Sequence, residues 1–171
     1  MIHVYTDGAC SKNGQMGASG GIGVYFGPGD PRNQSCLLEG VQTNNRAELS
    51  AVKLAGEILS KEIADGNEIC LHTDSRYVLL CCGSYGQRLH QKEWRVDKIV
   101  PNLDLLRQTY LLFHGRPNVR FCHIEAHTGL SDPHSLGNAE ADLLAKRGSQ
   151  KGEPKGGAKR GSQKGEPNAR K

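Results

Sequence analysis

Ile2-His3-Val4-Tyr5-Thr6-Asp7 alternates apolar and polar side chains and stops on a carboxylate followed by Gly8. A period of two marks a strand with one buried face, so residues 2–7 read as a strand that delivers Asp7 at its end. A Gly-rich turn leads to a second strand at 20–27, Pro28-Gly29-Asp30-Pro31 makes a strong turn, and 34–40 reads as a weaker third strand. Residues 2–40 are therefore expected to form an antiparallel meander. From Asn44 the period changes. Ala47, Leu49, Ala51, Val52, Leu54, Ala55, Ile58 and Leu59 fit an amphipathic helix capped by Asn44 or Asn45. Residues 68–73 form a strand ending at Asp74, and Ser75 caps a helix to about Cys82. Residues 84–101 are polar and irregular, with a short helix near 87–92. A helix from Asn102 or Asp104 runs to about His114, and a fifth strand spans 119–125. A loop holding Gly129, Pro133 and Gly137 then leads to a last helix at 138–147. A meander followed by alternating helices and strands implies an α/β fold, a mixed sheet covered by helices.

The chain of 171 residues suits one domain with a substantial core. It has no run of some 18 apolar residues to cross a membrane. Its first residues lack the basic and apolar regions of a secretory signal, which points to an intracellular setting, cytoplasm or nucleus. The six cysteines contain no Cys-x-x-Cys pair, and four sit in apolar runs, so they are expected to be reduced small hydrophobes rather than a disulfide framework or a zinc site. The segment from Lys146 to Lys171 holds nine Lys or Arg and two Glu; it carries +7, and the rest, by difference from +4 overall, −3. Ala-Lys-Arg-Gly-Ser-Gln-Lys-Gly-Glu-Pro occurs at 145–154 and again at 158–167. Nothing in that repeat builds a core, so 1–147 is expected to be the folded domain and 148–171 a disordered basic tail that adds sequence-blind phosphate contacts.

Two acids end expected strands, Asp7 and Asp74, and two lie near expected helix starts, Glu48 and Asp142. Two unpaired carboxylates about 4 Å apart repel by roughly 4 kcal/mol at an effective dielectric of 20, so a cluster of them calls for a neutralising partner. Oxygen-only ligation suits hard cations such as Mg²⁺ or Mn²⁺. By spacing alone, however, Asp7 and Asp74 fit turn positions, and Glu48 and Asp142 fit helix-dipole positions, equally well.

Four blocks carry a resemblance: Thr6-Asp7-Gly8-Ala9-Cys10, Thr43-Asn44-Asn45-Arg46-Ala47-Glu48-Leu49, Thr73-Asp74-Ser75 and Gly137-Asn138-Ala139-Glu140-Ala141-Asp142-Leu143. In order and separation they resemble type 1 ribonuclease H over residues 2–147. The resemblance implies a five-stranded mixed sheet in the order 3-2-1-4-5 with flanking helices. It implies hydrolysis of the RNA strand of RNA–DNA hybrids by two metal ions, Mg²⁺ with Mn²⁺ as an alternative, in a monomer. Asp7, Glu48, Asp74 and Asp142 fall on the family's metal-binding acids and His127 on its catalytic histidine, a group suited to a proton at the leaving 3′-oxygen. Beyond His127 the insertion Leu130-Ser131-Asp132-Pro133-His134-Ser135-Leu136 is similar to the longer loops of retroelement and viral domains; His134 is thereby a minor rival to His127.

The resemblance also assigns substrate contacts. Asn13, Asn44 and Asn45 match positions on the RNA strand, where an amide serves the 2′-hydroxyl as donor and acceptor. Thr43 and Asn102 match a pocket for a DNA-strand phosphate, whose usual basic residue two positions before the threonine is Val41 here. Tyr77 and Tyr85 match aromatics along the DNA groove, and residues 83–100 replace a basic, tryptophan-bearing handle, with Leu89 at a tryptophan position. Trp94 fits packing of the handle and contact with substrate equally. Three other readings remain: a transposase, integrase or resolvase of the same fold; a domain derived from a reverse transcriptase; and a non-catalytic hybrid-binding module.

Overall fold

A computed structural model describes residues 1–152. Strand β1 (Ile2–Ser11) is the axis of a five-stranded sheet. Over Tyr5 to Ser11 it pairs antiparallel with β2 (Ser19–Tyr25), and over Ile2 to Thr6 it pairs parallel with β4 (Ile69–Thr73). Strand β3 (Gln34–Leu37) adds antiparallel to β2 and β5 (Val119–His123) parallel to β4, giving the order β3-β2-β1-β4-β5. This is the mixed sheet expected. Asp7 is not at the end of β1, as the alternation suggested, because β2 carries the strand four residues further. What ends there is the parallel ladder, at Thr6 opposite Thr73.

The two sheet faces are covered differently. Val4, Val24, Ile69 and Leu71 point into the main core with Leu49, Val52, Leu59 and Leu106 from the helices. Helix α1 (Asn44–Ile58) is capped by Thr43 rather than by Asn44 or Asn45, which already lie in its first turn; the Thr43 hydroxyl accepts from the Arg46 N–H at 3.2 Å. The helix expected to run to Leu59 breaks there and continues as α2 (Ser60–Ala64). Ser75 caps α3 (Arg76–Cys82) by accepting from the Val78 N–H, as its side chain suggested. Then α4 (Ser84–Gln91) occupies much of what looked irregular, with Leu89 buried in the core. Helix α5 (Leu103–Phe113) follows Asn102, which adopts a left-handed conformation at φ 59° and makes no capping bond of its own.

The other face of β1, β2 and β3 is covered by α6 (Pro133–Gln150). This helix departs from expectation at both ends. Asp132 accepts from the His134 and Ser135 N–H groups at 3.1 and 3.0 Å and Pro133 takes the first turn, so most of the insertion after His127 is helical rather than loop. At the other end α6 runs past Arg147, with Gly148 and Ser149 buried. The first repeat copy therefore joins the folded body for part of its length, while the second copy lies outside the described residues. A further correction concerns cysteine: Cys70 on β4 and Cys122 on β5 are joined as a disulfide, with Cα atoms 6.5 Å apart. Among the described residues no helix is long and apolar enough to cross a membrane.

Candidate active site

The carboxylates meet where the parallel ladder stops. Asp7 and Asp74 each follow the last registered pair, Thr6 and Thr73, and so stand side by side on neighbouring strands. Glu48 arrives from α1 across Gly8. A Cβ at Gly8 would lie 2.2 Å from the Glu48 nitrogen and 2.4 Å from the Ala47 carbonyl carbon, so only glycine lets α1 approach this closely. The Gly8 N–H donates to Glu48 Oε2 at 3.0 Å and orients that carboxylate. Oxygens of Asp7, Glu48 and Asp74 all lie within 4.8 Å of one another. Asp142, from α6, lines the same open cleft of about 320 Å³, together with Asn44, Asn45 and His127.

Two side chains complete the cluster that the sequence reading did not single out. Asn138 is buried and donates through Nδ2 to Asp74 Oδ2 at 3.1 Å, and Lys146 Nζ pairs with Asp142 Oδ2 at 2.6 Å. Residues 138, 142 and 146 share one helix face at four-residue spacing, a signal present in the sequence once 142 is placed. One cation faces four acids, so full ionisation of the cluster is opposed. Burial, then the neighbouring Asp74, pushes Asp7 up to about 8, and burial with Asp7 and Asp74 raises Glu48 well above the ordinary carboxylate range. An all-oxygen set that resists its own ionisation has the chemistry to hold a hard divalent cation.

These shifts have a sign in stability. Asp7 titrates near 8 in the fold against an ordinary 3.8, so folding takes up a proton between those values and the metal-free fold weakens as pH rises through that window. Between pH 6 and 8 the loss from Asp7 is roughly 2 kcal/mol, or about 4–8 °C in melting temperature. Thermal melts with and without Mg²⁺ at both pH values should therefore show a lower metal-free Tm at pH 8 and a larger gain from metal there. A flat metal-free Tm with equal gains at both pH values would show that Asp7 is not held protonated.

Beside the cleft, a second concavity of about 860 Å³ is lined by Asn13, Thr43, Asn44, Asn45 and Asn102, so the residues expected on the two strands of a hybrid share one groove. Asn13 Oδ1 accepts from the Asn44 N–H at 3.1 Å, tying the β1–β2 turn to the start of α1. Asn102 accepts from Arg46 Nη1 at 3.3 Å and donates to the Tyr77 hydroxyl at 3.2 Å. Val41 lines this concavity without charge, but so does Arg46, whose Nε is buried with no hydrogen-bond partner. Arg46 from α1 thus brings a guanidinium to this concavity, where it also pairs with Asp104 of the same lining at 3.5 Å. Tyr77 and Tyr85 are half-buried against the core, and the Arg88 guanidinium lies 5.6 Å from the Tyr85 ring centroid. Trp94, partly exposed, packs edge-on against Tyr110 of α5 with ring centroids 5.7 Å apart.

His127 lies in the exposed loop after β5 at φ 53°, on the rim of the acidic cleft. His134, its rival, is turned away: its Nδ1 stands 2.9 Å from the Tyr5 hydroxyl, on the sheet face beside α6.

Comparisons with known proteins agree with this geometry. The family model "RNase H" matches residues 1–150. Ribonuclease H1 of Mus musculus is 37% identical over 154 residues, covering 89% of this chain and 51% of its own length, so the chain spans about half of that relative. Ribonuclease H of Nitrosospira multiformis is 36% identical over 152 residues, with 88% of this chain and 90% of the relative covered. Among solved structures, a foamy viral protease-reverse transcriptase in complex with an RNA/DNA hybrid superposes with a TM-score of 0.71 at 21% identity, over 88% of this chain and 20% of the viral one. With a family match over nearly all described residues and a bacterial relative matched almost end to end, the chain belongs to the RNase H family.

Proposed function

We propose that the chain is a metal-dependent endonuclease that hydrolyses the RNA strand of RNA–DNA hybrids, using two Mg²⁺ ions, with Mn²⁺ able to replace them. The observation that carries this is the meeting of Asp7, Glu48, Asp74 and Asp142 in an open cleft that shares Asn44 and Asn45 with the groove beside it. When bound, such ions supply an activated water and charge stabilisation at the scissile phosphate. The rest is done by the chain's own residues. Asn13, Asn44 and Asn45 line a path for the RNA strand, where their amides both donate to and accept from the 2′-hydroxyl that DNA lacks. Thr43, Arg46 and Asn102 hold a phosphate of the other strand. Lys146 and Asn138 keep Asp142 and Asp74 oriented toward the cleft. His127, solvent-exposed on the rim, exchanges a proton at the leaving 3′-oxygen. All of these groups come from one chain, which supports action as a monomer.

The charge role of Arg46 is separable from catalysis. Arg46→Ala should weaken hybrid binding by about 1.5–3 kcal/mol, the range for a lost hydrogen bond to a charged group. It should also flatten the salt dependence of the binding constant, because fewer counterions are released. Unchanged affinity across a salt series would remove Arg46 from the phosphate pocket.

The function itself is tested by incubating end-labelled RNA–DNA hybrid, double-stranded RNA, double-stranded DNA and single-stranded RNA with the protein in Mg²⁺, Mn²⁺ or EDTA. Cutting confined to the RNA strand of the hybrid and abolished by EDTA is expected. Metal-dependent cutting of DNA would instead move the protein to the recombination enzymes of this fold. Hybrid binding without cutting would make it a binding module.

A further inference from the structure

Away from the acidic cleft, one sheet face carries a second group of metal-ligating side chains. His3 is the registered partner of Cys70 across β1 and β4, and His72 that of Cys122 across β4 and β5. Registered partners project to the same side, and so do residues two apart on a strand, so all four side chains share a face. Cys70, His72 and Cys122 each place a ligand atom within 4.8 Å of the others, as do His3, His72 and His134. His3 Nδ1 stands 2.9 Å from His72 Nε2. Helix α6 covers β1 to β3 but reaches β4 only weakly, and His134 from its first turn stacks over His72 with ring centroids 4.6 Å apart. Cys70 and His72 are buried, Cys122 is half-buried and His3 is exposed, which leaves an approach from solvent. None of these residues lines the cleft or groove described above.

We propose that when the Cys70–Cys122 disulfide is reduced, Cys70, Cys122 and His72 hold one Zn²⁺ ion, with water as the fourth ligand and His3 as the hydrogen-bonded partner of His72. Thiolate with imidazole is a set for Zn²⁺ rather than Mg²⁺, which distinguishes this site from the carboxylate cleft. Tetrahedral zinc, with Zn–S about 2.3 Å and Zn–N about 2.0–2.1 Å, sets its sulfurs about 3.8 Å apart. His3 Nδ1, 2.9 Å from His72 Nε2, fixes the His72 ring as a hydrogen-bonded partner rather than as a ligand. The ligands sit on β4 and β5 and His3 on the adjoining β1, so their backbone is ordered before any metal arrives. His134, hydrogen-bonded to Tyr5, remains as a roof over the site. Reduction by a phosphine breaks the S–S bond with two electrons, giving two thiols and the phosphine oxide, whose oxygen comes from water. Zinc binding then releases the two thiol protons to solvent.

The test uses the full chain, reduced with a phosphine, stripped by a chelator and titrated anaerobically with Co²⁺ and then Zn²⁺. One Co²⁺ per chain should produce sulfur-to-cobalt charge-transfer absorption, which a carboxylate site cannot give, and one equivalent of Zn²⁺ should remove it. The double variant C70S/C122S should lose the absorption. His3→Ala, an exposed change that leaves both thiols and the core in place, should weaken Zn²⁺ binding at least tenfold, about the least that loss of a supporting partner of a ligand does. Absence of the absorption in a chain whose six thiols all titrate as reduced would overturn the site. So would absorption that survives in C70S/C122S, since the sulfur would then come from other cysteines, and undiminished affinity in His3→Ala would overturn His3 as the partner that holds His72.

Discussion

Asp7→Asn, and separately Asp74→Asn, should abolish hybrid cleavage while leaving a folded protein that melts no lower than the parent in the absence of metal. Each change removes one carboxylate from a group whose oxygens lie within 4.8 Å of one another and keeps its shape. Bound metal supplies several kcal/mol of transition-state stabilisation. At about 1.4 kcal/mol per tenfold, losing a ligand should lower turnover at least about a thousandfold. Stability should move the other way, because Asp7, pushed up to about 8 by burial and Asp74, opposes the metal-free fold when charged. Turnover of hybrid by either variant at the parent rate, measured beside its thermal melt, would remove the metal-site argument. Loss of activity together with loss of fold would mean that the carboxylates are needed for structure.

Gly21→Val should have the largest effect on stability and should silence the cleft from a distance. A Cβ at Gly21 would lie 2.0 Å from the Ala145 carbonyl oxygen and 2.1 Å from the Ser149 nitrogen, both of them helix backbone. Gly23 meets the Ala141 oxygen at 2.2 Å, and from the helix side Gly148 meets the Cys36 oxygen at 2.3 Å. Thus α6 lies directly on the backbones of β2 and β3, with no side chain between them to give way. Overpacking usually costs about 1–3 kcal/mol when side chains can adjust, and here they cannot, so more than about 3 kcal/mol is expected. That corresponds to a fall in Tm of at least about 6–12 °C. Any displacement of α6 also moves Asp142, Asn138 and Lys146, so cleavage should fall even well below the melting point. A Tm within about 2 °C of the parent, less than 1 kcal/mol, would mean that α6 is not seated on β2 as described.

Much of this was present in local patterns. The alternation at 2–7, the helical spacing from Asn44 and the cap Ser75 arise from neighbours in the chain, and the observed strands and helices follow them to within a few residues. The candidate acids and the Asn44-Asn45 pair were legible because they stand in four short blocks whose order and spacing resemble one family. That signal needs no knowledge of packing. It did not extend to Arg46, Asn138 or Lys146, whose roles depend on which pocket or carboxylate each side chain reaches.

The errors share one cause, which is pairing between distant segments. Cys70 and Cys122, separated by 52 residues, meet only because β5 registers His72 against Cys122, and no Cys-x-x-Cys spacing announces that pairing. Asp7 ended the local alternation, yet β2 prolongs its strand and β4 stops beside it, which makes the end of a ladder rather than of a strand the seat of the cleft. The repeat makes the point most directly. The same ten residues occur twice, and composition alone denied both copies a core. In the first copy Ala145, Gly148 and Ser149 are nevertheless buried in α6, because glycines on β2 leave room for a helix with small residues to lie against the sheet. The sequence by itself determined most of the elements and the set of candidate acids, since these follow from short-range periodicity and motif. Only the tertiary structure decided which backbones touch, which cysteines meet and which side chains line the groove beside the cleft, because those depend on register and close approach across the sheet.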